Sequence, residues 1–140
     1  MTNNTLAKDV VDKMMTDDHF SKWLGIELVD ISVGKAILKM QIRKEMLNGF
    51  GIAHGGIIFS LADSALAFAS NSYGRRSVSI EASISWPKSI GLGDEVVAET
   101  ELKSLTNKTA IFDVNIKNID QEIIGLFRGV VYRTSKNWFE

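Results

Sequence analysis

Leu6, Val10 and Met14, then Phe20 and Trp23, recur at helical spacing with charges between them, which predicts helical material over residues 5–23. Asp17, Asp18 and His19 interrupt that run and divide it into two short helices. From Ile26 the period becomes two. IELVDISV and AILKMQIR alternate as strands over about 26–33 and 36–43, with Val33, Gly34 and Lys35 as the hairpin turn. KEMLNGFGIA, with Asn48, Gly49 and Gly51, reads as a loop. HGGIIFSLADSALAFASNSY carries a single charge and predicts a helix over 54–73, about 30 Å long, with Gly74 just past its end. Because it is apolar almost all round, it must be buried on most faces. Four strands follow, over about 76–86, 94–105, 109–118 and 122–134, and Asn118 to Gln121 form the turn between the last two.

This order predicts an α+β fold. Runs of strands joined by short turns make an antiparallel sheet, and a long apolar helix with one sheet to cover it requires that sheet to curl around the helix. That is the hotdog architecture, here a single domain over 1–140 with short N-terminal helices. A chain of 140 residues buries a sizeable core without disulfides or metal. With no cysteine and two histidines, a zinc site, a disulfide framework and a thiol nucleophile are excluded. A formal net charge of -1, spread along the chain, provides no field for nucleic acid. No apolar stretch spans a membrane and the first fifteen residues lack a secretory apolar block, so a cytoplasmic location is expected. Disorder is expected only in the first few residues and the polar tail around Ser135 to Asn137.

Asp63 is the only charge in the apolar helix. A buried carboxylate must be paired, solvated in a cleft or protonated. It is therefore either bonded to Ser60 and Ser64, turned to a subunit interface, or a catalytic base or nucleophile. The second feature is NGFGIAHGG, positions 48–56, a glycine-bearing loop running into the helix start. The first N–H groups of a helix lack intrahelical acceptors and sit at the positive dipole end, so this junction either binds an anion or developing oxyanion or is only a tight loop-to-helix turn. It is not a dinucleotide fingerprint, since the third glycine and a βαβ unit are missing. Gly55 and Asp63 are eight residues apart, about 12 Å of rise and about 80° past two turns. They cannot touch one carbonyl from the same helix. If both act on one substrate, a second copy of the chain supplies one of them.

Ser60 and His54 form no nucleophile elbow. His19 reads as a surface residue. Arg75 and Arg76 meet a phosphate or form a solvated turn, and Lys88, Lys103, Lys108, Arg128 and Lys136 are scattered.

MLNGFGIAHGGIIFSLADSALAFASNSYG resembles the signature of the PaaI-type acyl-CoA thioesterases of phenylacetate degradation, within the hotdog superfamily. The resemblance runs from WLGI at 23–26 through GD at 93–94 to LFRG at 126–129. It places the family's carboxylate on Asp63, its oxyanion-hole N–H on Gly55 with Gly56 following, its loop asparagine on Asn48 and its histidine on His54. A hydroxyl that helps to place water falls on Ser79. The family's Arg-Pro pair is here Pro87 then Lys88, the order reversed. Coenzyme A thioesters with aromatic, phenylacetyl-like acyl groups are the implied substrates, coenzyme A being part of the substrate, with no metal or other cofactor. Phe59 is a candidate for the acyl pocket, with Phe50, Met46 and Phe68 beside it, although a core role suits each equally. Lys88, Arg75 and Arg128 are candidates for the phosphates. A homodimer with shared sites, pairing to a homotetramer, is expected, with neither nucleic acid nor membrane as partner. The alternatives are a hotdog hydratase or dehydratase using His54, and a non-catalytic acyl-CoA-binding module.

Overall fold

A computed structural model describes residues 3–140. Two N-terminal helices, α1 (Asn3–Asp17) and α2 (His19–Leu24), break at Asp18, whose carboxylate caps α2 by accepting from the Ser21 N–H at 3.0 Å. The hairpin β1 (Glu27–Ser32) and β2 (Lys35–Gln41) follows, its turn confined to Val33 and a positive-φ Gly34. Within the next loop, Lys44–Met46 forms a 3₁₀ turn. Helix α3 (Gly55–Asn71) then leads to β3 (Arg75–Ser85), β4 (Glu95–Leu105), β5 (Thr109–Lys117) and β6 (Ile123–Asn137).

The six strands make one antiparallel sheet in the order β1-β2-β4-β5-β6-β3, curved around α3 as in the hotdog fold. Alternation sets the inner face: Ala110, Phe112, Val114 and Ile116 of β5 are buried while their neighbours are half-exposed. From α3, Ile58, Leu61, Ala62, Ala65, Leu66, Phe68 and Ala69 fill that concave face. Gly129 of β6 sits under Leu66, where a Cβ would collide with the leucine, so the glycine sets how closely helix and sheet approach.

Two expectations are corrected. Ser135 to Asn137 are the end of β6, held by pairing with β3 (Arg75 opposite Asn137), and do not form a disordered tail. Helix α3 ends at Asn71, short of the expected Tyr73, with Ser72 as its cap in an ordinary helical conformation and Gly74, at φ +99°, beyond it. Within one protomer α3 also keeps an open stripe. Gly56, Ser60, Asp63 and Ala67, spaced at i, i+4, i+7 and i+11, are exposed or half-buried, because the sheet covers only the opposite side. Met1 and Thr2, part of the expected N-terminal disorder, lie outside the described residues.

Candidate active site

The loop before α3 is shaped by Asn48. Its Oδ1 accepts from Phe50 N–H at 2.9 Å and Ile52 N–H at 3.4 Å, while its backbone N–H donates to Ile52 C=O at 2.8 Å. This arrangement exposes Phe50 almost fully, at 88%, which removes it from any enclosed acyl pocket of the protomer. The Asn48 side-chain amide donates to no acceptor among the described residues.

His54 caps α3. Its Nδ1 accepts the Gly56 N–H at 3.0 Å, so a neutral ring carries its proton on Nε2. Its own N–H donates to Met46 C=O at 2.8 Å, and its C=O accepts from Ile57 N–H at 2.9 Å. Among the described residues the Gly55 N–H has no acceptor. One unused donor thus remains at the positive end of a 17-residue helix. Gly55 borders a pocket of about 240 Å³ whose walls include Asn48, Ile58, Trp86, Lys88 and Ile124. Lys88 reaches it as an exposed cation paired with Glu122, which also accepts from Asn118.

Asp63 lies two turns along α3, half-buried in the open stripe. Neither serine suggested as its partner holds it. Ser60 Oγ donates to Gly56 C=O at 2.7 Å, and Ser64 Oγ bonds Ser21 Oγ at 2.8 Å. No hydrogen bond reaches the Asp63 carboxylate from the described residues. Burial pushes its pKa above the usual carboxylate range, and the charge of Asp18 adds to the shift. An unbonded carboxylate held towards neutrality suits a base or nucleophile better than a structural anchor.

The other predicted residues do not gather here. Phe59 packs edge-to-face on Phe127, ring centroids 5.3 Å apart, at the margin of the core. Met46 and Phe68 are core residues. Ser79 is exposed on β3, and its hydroxyl has no partner among the described residues. Arg75 spends its guanidinium on the carbonyls of Thr134, Asn107 and Arg133 and on the Asn107 side chain, clamping strands rather than waiting for an anion. Arg128 stands on the outer face of the sheet, since its neighbours Phe127 and Gly129 point inwards, and it forms a bidentate pair with Asp113. Hydrogen bonding from Arg128 holds the Asp113 pKa below the usual range.

Two residues near the site escaped the sequence reading. Trp86, just past β3, donates its indole N–H to Gly55 C=O at 3.1 Å. Asp18 bears on Asp63 across the α2–α3 contact. Only the sheet register and the helix packing bring them there. Among the described residues no group of three or more His, Asp or Glu side chains is placed to hold a metal ion, and no helix is long and apolar enough to cross a membrane.

Residues 50–124 match the thioesterase superfamily. An Archaeoglobus fulgidus protein named as an esterase is 38% identical over 133 residues, covering 95% of this chain and 86% of that one. The acyl-coenzyme A thioesterase PaaI of Escherichia coli is 35% identical over 120 residues, 86% of each chain. The solved structure of E. coli PaaI superposes with a TM-score of 0.94, covering 97% of this chain and 99% of that one at 32% identity. The structure of smu.793 from Streptococcus mutans, bound to acetyl CoA, gives a TM-score of 0.77 at 28% identity, covering 80% of this chain and 90% of that one.

Proposed function

The chain belongs to the thioesterase superfamily, and we propose that it hydrolyses the thioester of an acyl-coenzyme A carrying an aromatic, phenylacetyl-like acyl group. The observation that carries this reading is the unused Gly55 N–H at the start of α3, beside a pocket that also holds the free amide of Asn48. In the proposed reaction the thioester carbonyl oxygen accepts from Gly55, where the helix dipole favours its developing negative charge. The partner subunit's Asp63 takes a proton from water as the water oxygen adds to the carbonyl carbon, or adds to that carbon itself. In the first route the C–S bond breaks, the carbonyl re-forms, and the proton passes to the departing thiolate, giving free acid and free thiol. In the second the C–S bond breaks as the carboxylate–acyl anhydride forms, and water then cleaves that anhydride, its oxygen going to the acid, which is released as Asp63 is restored, and one of its protons to the thiolate. One such N–H donor contributes about 2.7 to 4 kcal/mol, and a general base about 10² to 10⁴ in rate.

A second copy is needed because α3 separates the two groups by about 12 Å. Two features support its placement. The stripe bearing Asp63 is the side of α3 that the protomer's sheet leaves open. Strand β3 is an edge strand of 11 residues, paired among the described residues only with β6, with Val78 and Ile80 exposed at 54% and 60%. An edge of this length is a ready template for another strand. His54 offers little support for the hydratase alternative, because its Nδ1 is committed to capping the helix.

A free-thiol assay across aromatic and aliphatic acyl-CoAs tests the substrate class, and thiol release above background from none of them defeats the reading. Sharing of the site is tested by mixing Asp63→Asn with Gly55→Pro, each inactive alone. Proline is tolerated at the first helical position, and Gly55→Pro must first be shown to fold, because its Cβ meets Trp86 at 3.1 Å. Heterodimers containing one intact site should recover activity. Confirmed heterodimers that stay as inactive as the separate variants mean that the two groups do not meet across an interface.

A further inference from the structure

Trp86 lines the pocket but has no part in the reaction set out above. It follows β3 at the sheet edge with 51% of its surface exposed, yet two contacts with Gly55 fix it. Its indole N–H donates to the Gly55 C=O at 3.1 Å. Its Cε2 and Cζ2 lie 3.1 Å from where a Cβ on Gly55 would stand, so a larger residue there would make the ring give way by a few tenths of an ångström.

These contacts matter because α3 opens on two glycines, the residue type with the most backbone freedom. The peptide joining Gly55 to Gly56 is pinned at both ends, its C=O by the Trp86 indole and its N–H by His54 Nδ1. The preceding peptide is held by the bond from Ile57 N–H to His54 C=O at 2.9 Å. The Gly55 N–H lies in that preceding plane, and among the described residues it has no acceptor. A donor stabilises developing charge best when its direction is fixed before the reaction.

We propose that Trp86 is a positioning residue that aims the Gly55 N–H, holding a glycine-opened helix start in one orientation. The proposal rests on the oxyanion role of Gly55 given above. Trp86→Phe keeps a ring beside Gly55 and removes the indole N–H. It should lower kcat about three- to tenfold, while affinity for a CoA thioether, which has no carbonyl to polarise, stays within about twofold of the parent. Amide hydrogen exchange at Gly56, whose N–H belongs to the peptide that Trp86 holds and is bonded to His54, should quicken in the same variant. Gly55→Ala retains the N–H but pushes the ring away, and should lose kcat in the same way if Trp86→Phe fails to fold.

An unchanged kcat with unchanged exchange overturns the proposal, and so does an unchanged kcat with weakened thioether binding, which makes Trp86 only a wall. Should the parent cleave no acyl-CoA, the thioesterase reading fails by itself. The exchange rates then decide the positioning role alone: faster exchange supports it and unchanged exchange rejects it.

Discussion

At the C-terminal end of α3 the Asn71 side chain donates to the carbonyls of Ala67 and Ser77, and accepts from Ser77 N–H and the Trp138 indole, each of these two at 2.8 Å. Next to it the buried Ser72 hydroxyl donates to Ala69 C=O and accepts the Gly34 N–H at 2.7 Å. At the N-terminal end the Gly55 N–H has no acceptor among the described residues, and the carboxylate of Asp63, two turns further along, has no hydrogen bond from them. One end of the same helix spends its polar groups on the fold. The other leaves them available, which costs stability and is the usual mark of a site that works on something else.

Removing Asn71 should break the closed end and spare the open one. Asn71→Ala strands several half-buried partners of a buried side chain and should cost about 3 kcal/mol of stability, read as a lower denaturant midpoint at unchanged m. Activity per folded molecule should remain near that of the parent, and a large loss of kcat in folded protein would mean that the two ends are coupled.

Asp63→Asn should do the reverse, lowering kcat at least about 10²-fold, equivalent to about 2.7 kcal/mol, with KM changed much less. Near-parental turnover in this variant would end the mechanism. The raised pKa sharpens the contrast. The ionised form is the competent one, so activity should fall, as pH drops, at a value above the usual aspartate range near about 4. For stability, a carboxyl whose folded pKa exceeds its unfolded one disfavours folding above the folded value, and this penalty vanishes below the unfolded value. Asp63→Asn should therefore be at least as stable as the parent near neutral pH, with the advantage shrinking as pH falls towards about 4. Thermal melts across that range check the sign.

The smallest effect is expected at the rim of the open end. Lys88→Ala should raise KM for a full acyl-CoA a few-fold, leave kcat nearly unchanged, and spare the truncated acyl-pantetheine thioester, which lacks the nucleotide phosphates. The pairing with Glu122 reduces the expected size, because an arriving phosphate must displace an existing carboxylate partner. Equal response of the two substrates would remove Lys88 from phosphate binding.

The contrast between the ends also separates what the sequence discloses from what it hides. Helix α3 and its lone carboxylate are visible in HGGIIFSLADSALAFASNSY because one charge among apolar residues stands out at any register. The strands are visible because burial alternates with a period of two, as in β5. The uses of Arg75 and Arg128 are not visible: each depends on which strand lies alongside, Asn107 and Thr134 for one and Asp113 for the other. Trp86 is hidden for the same reason, since 31 residues of chain separate it from Gly55. Nor does composition reveal that His54 works as a helix cap, because Nδ1 accepts a backbone N–H only in the observed ring orientation.

The closed end has a consequence for how the molecule is made. Trp138, which bonds Asn71 through its indole and Gly74 C=O through its backbone N–H at 2.9 Å, comes 67 positions after that asparagine. At roughly 5–20 residues per second, a ribosome delivers it several seconds after the helix. For more than half of that interval a strongly apolar segment lacks both β5 and β6, strands that later cover it, and to its end the Asn71 amide oxygen lacks one of its donors. The nascent chain therefore offers chaperones a sticky, unfinished helix until β6 has emerged, and Trp138 is the latch whose arrival ends that exposure.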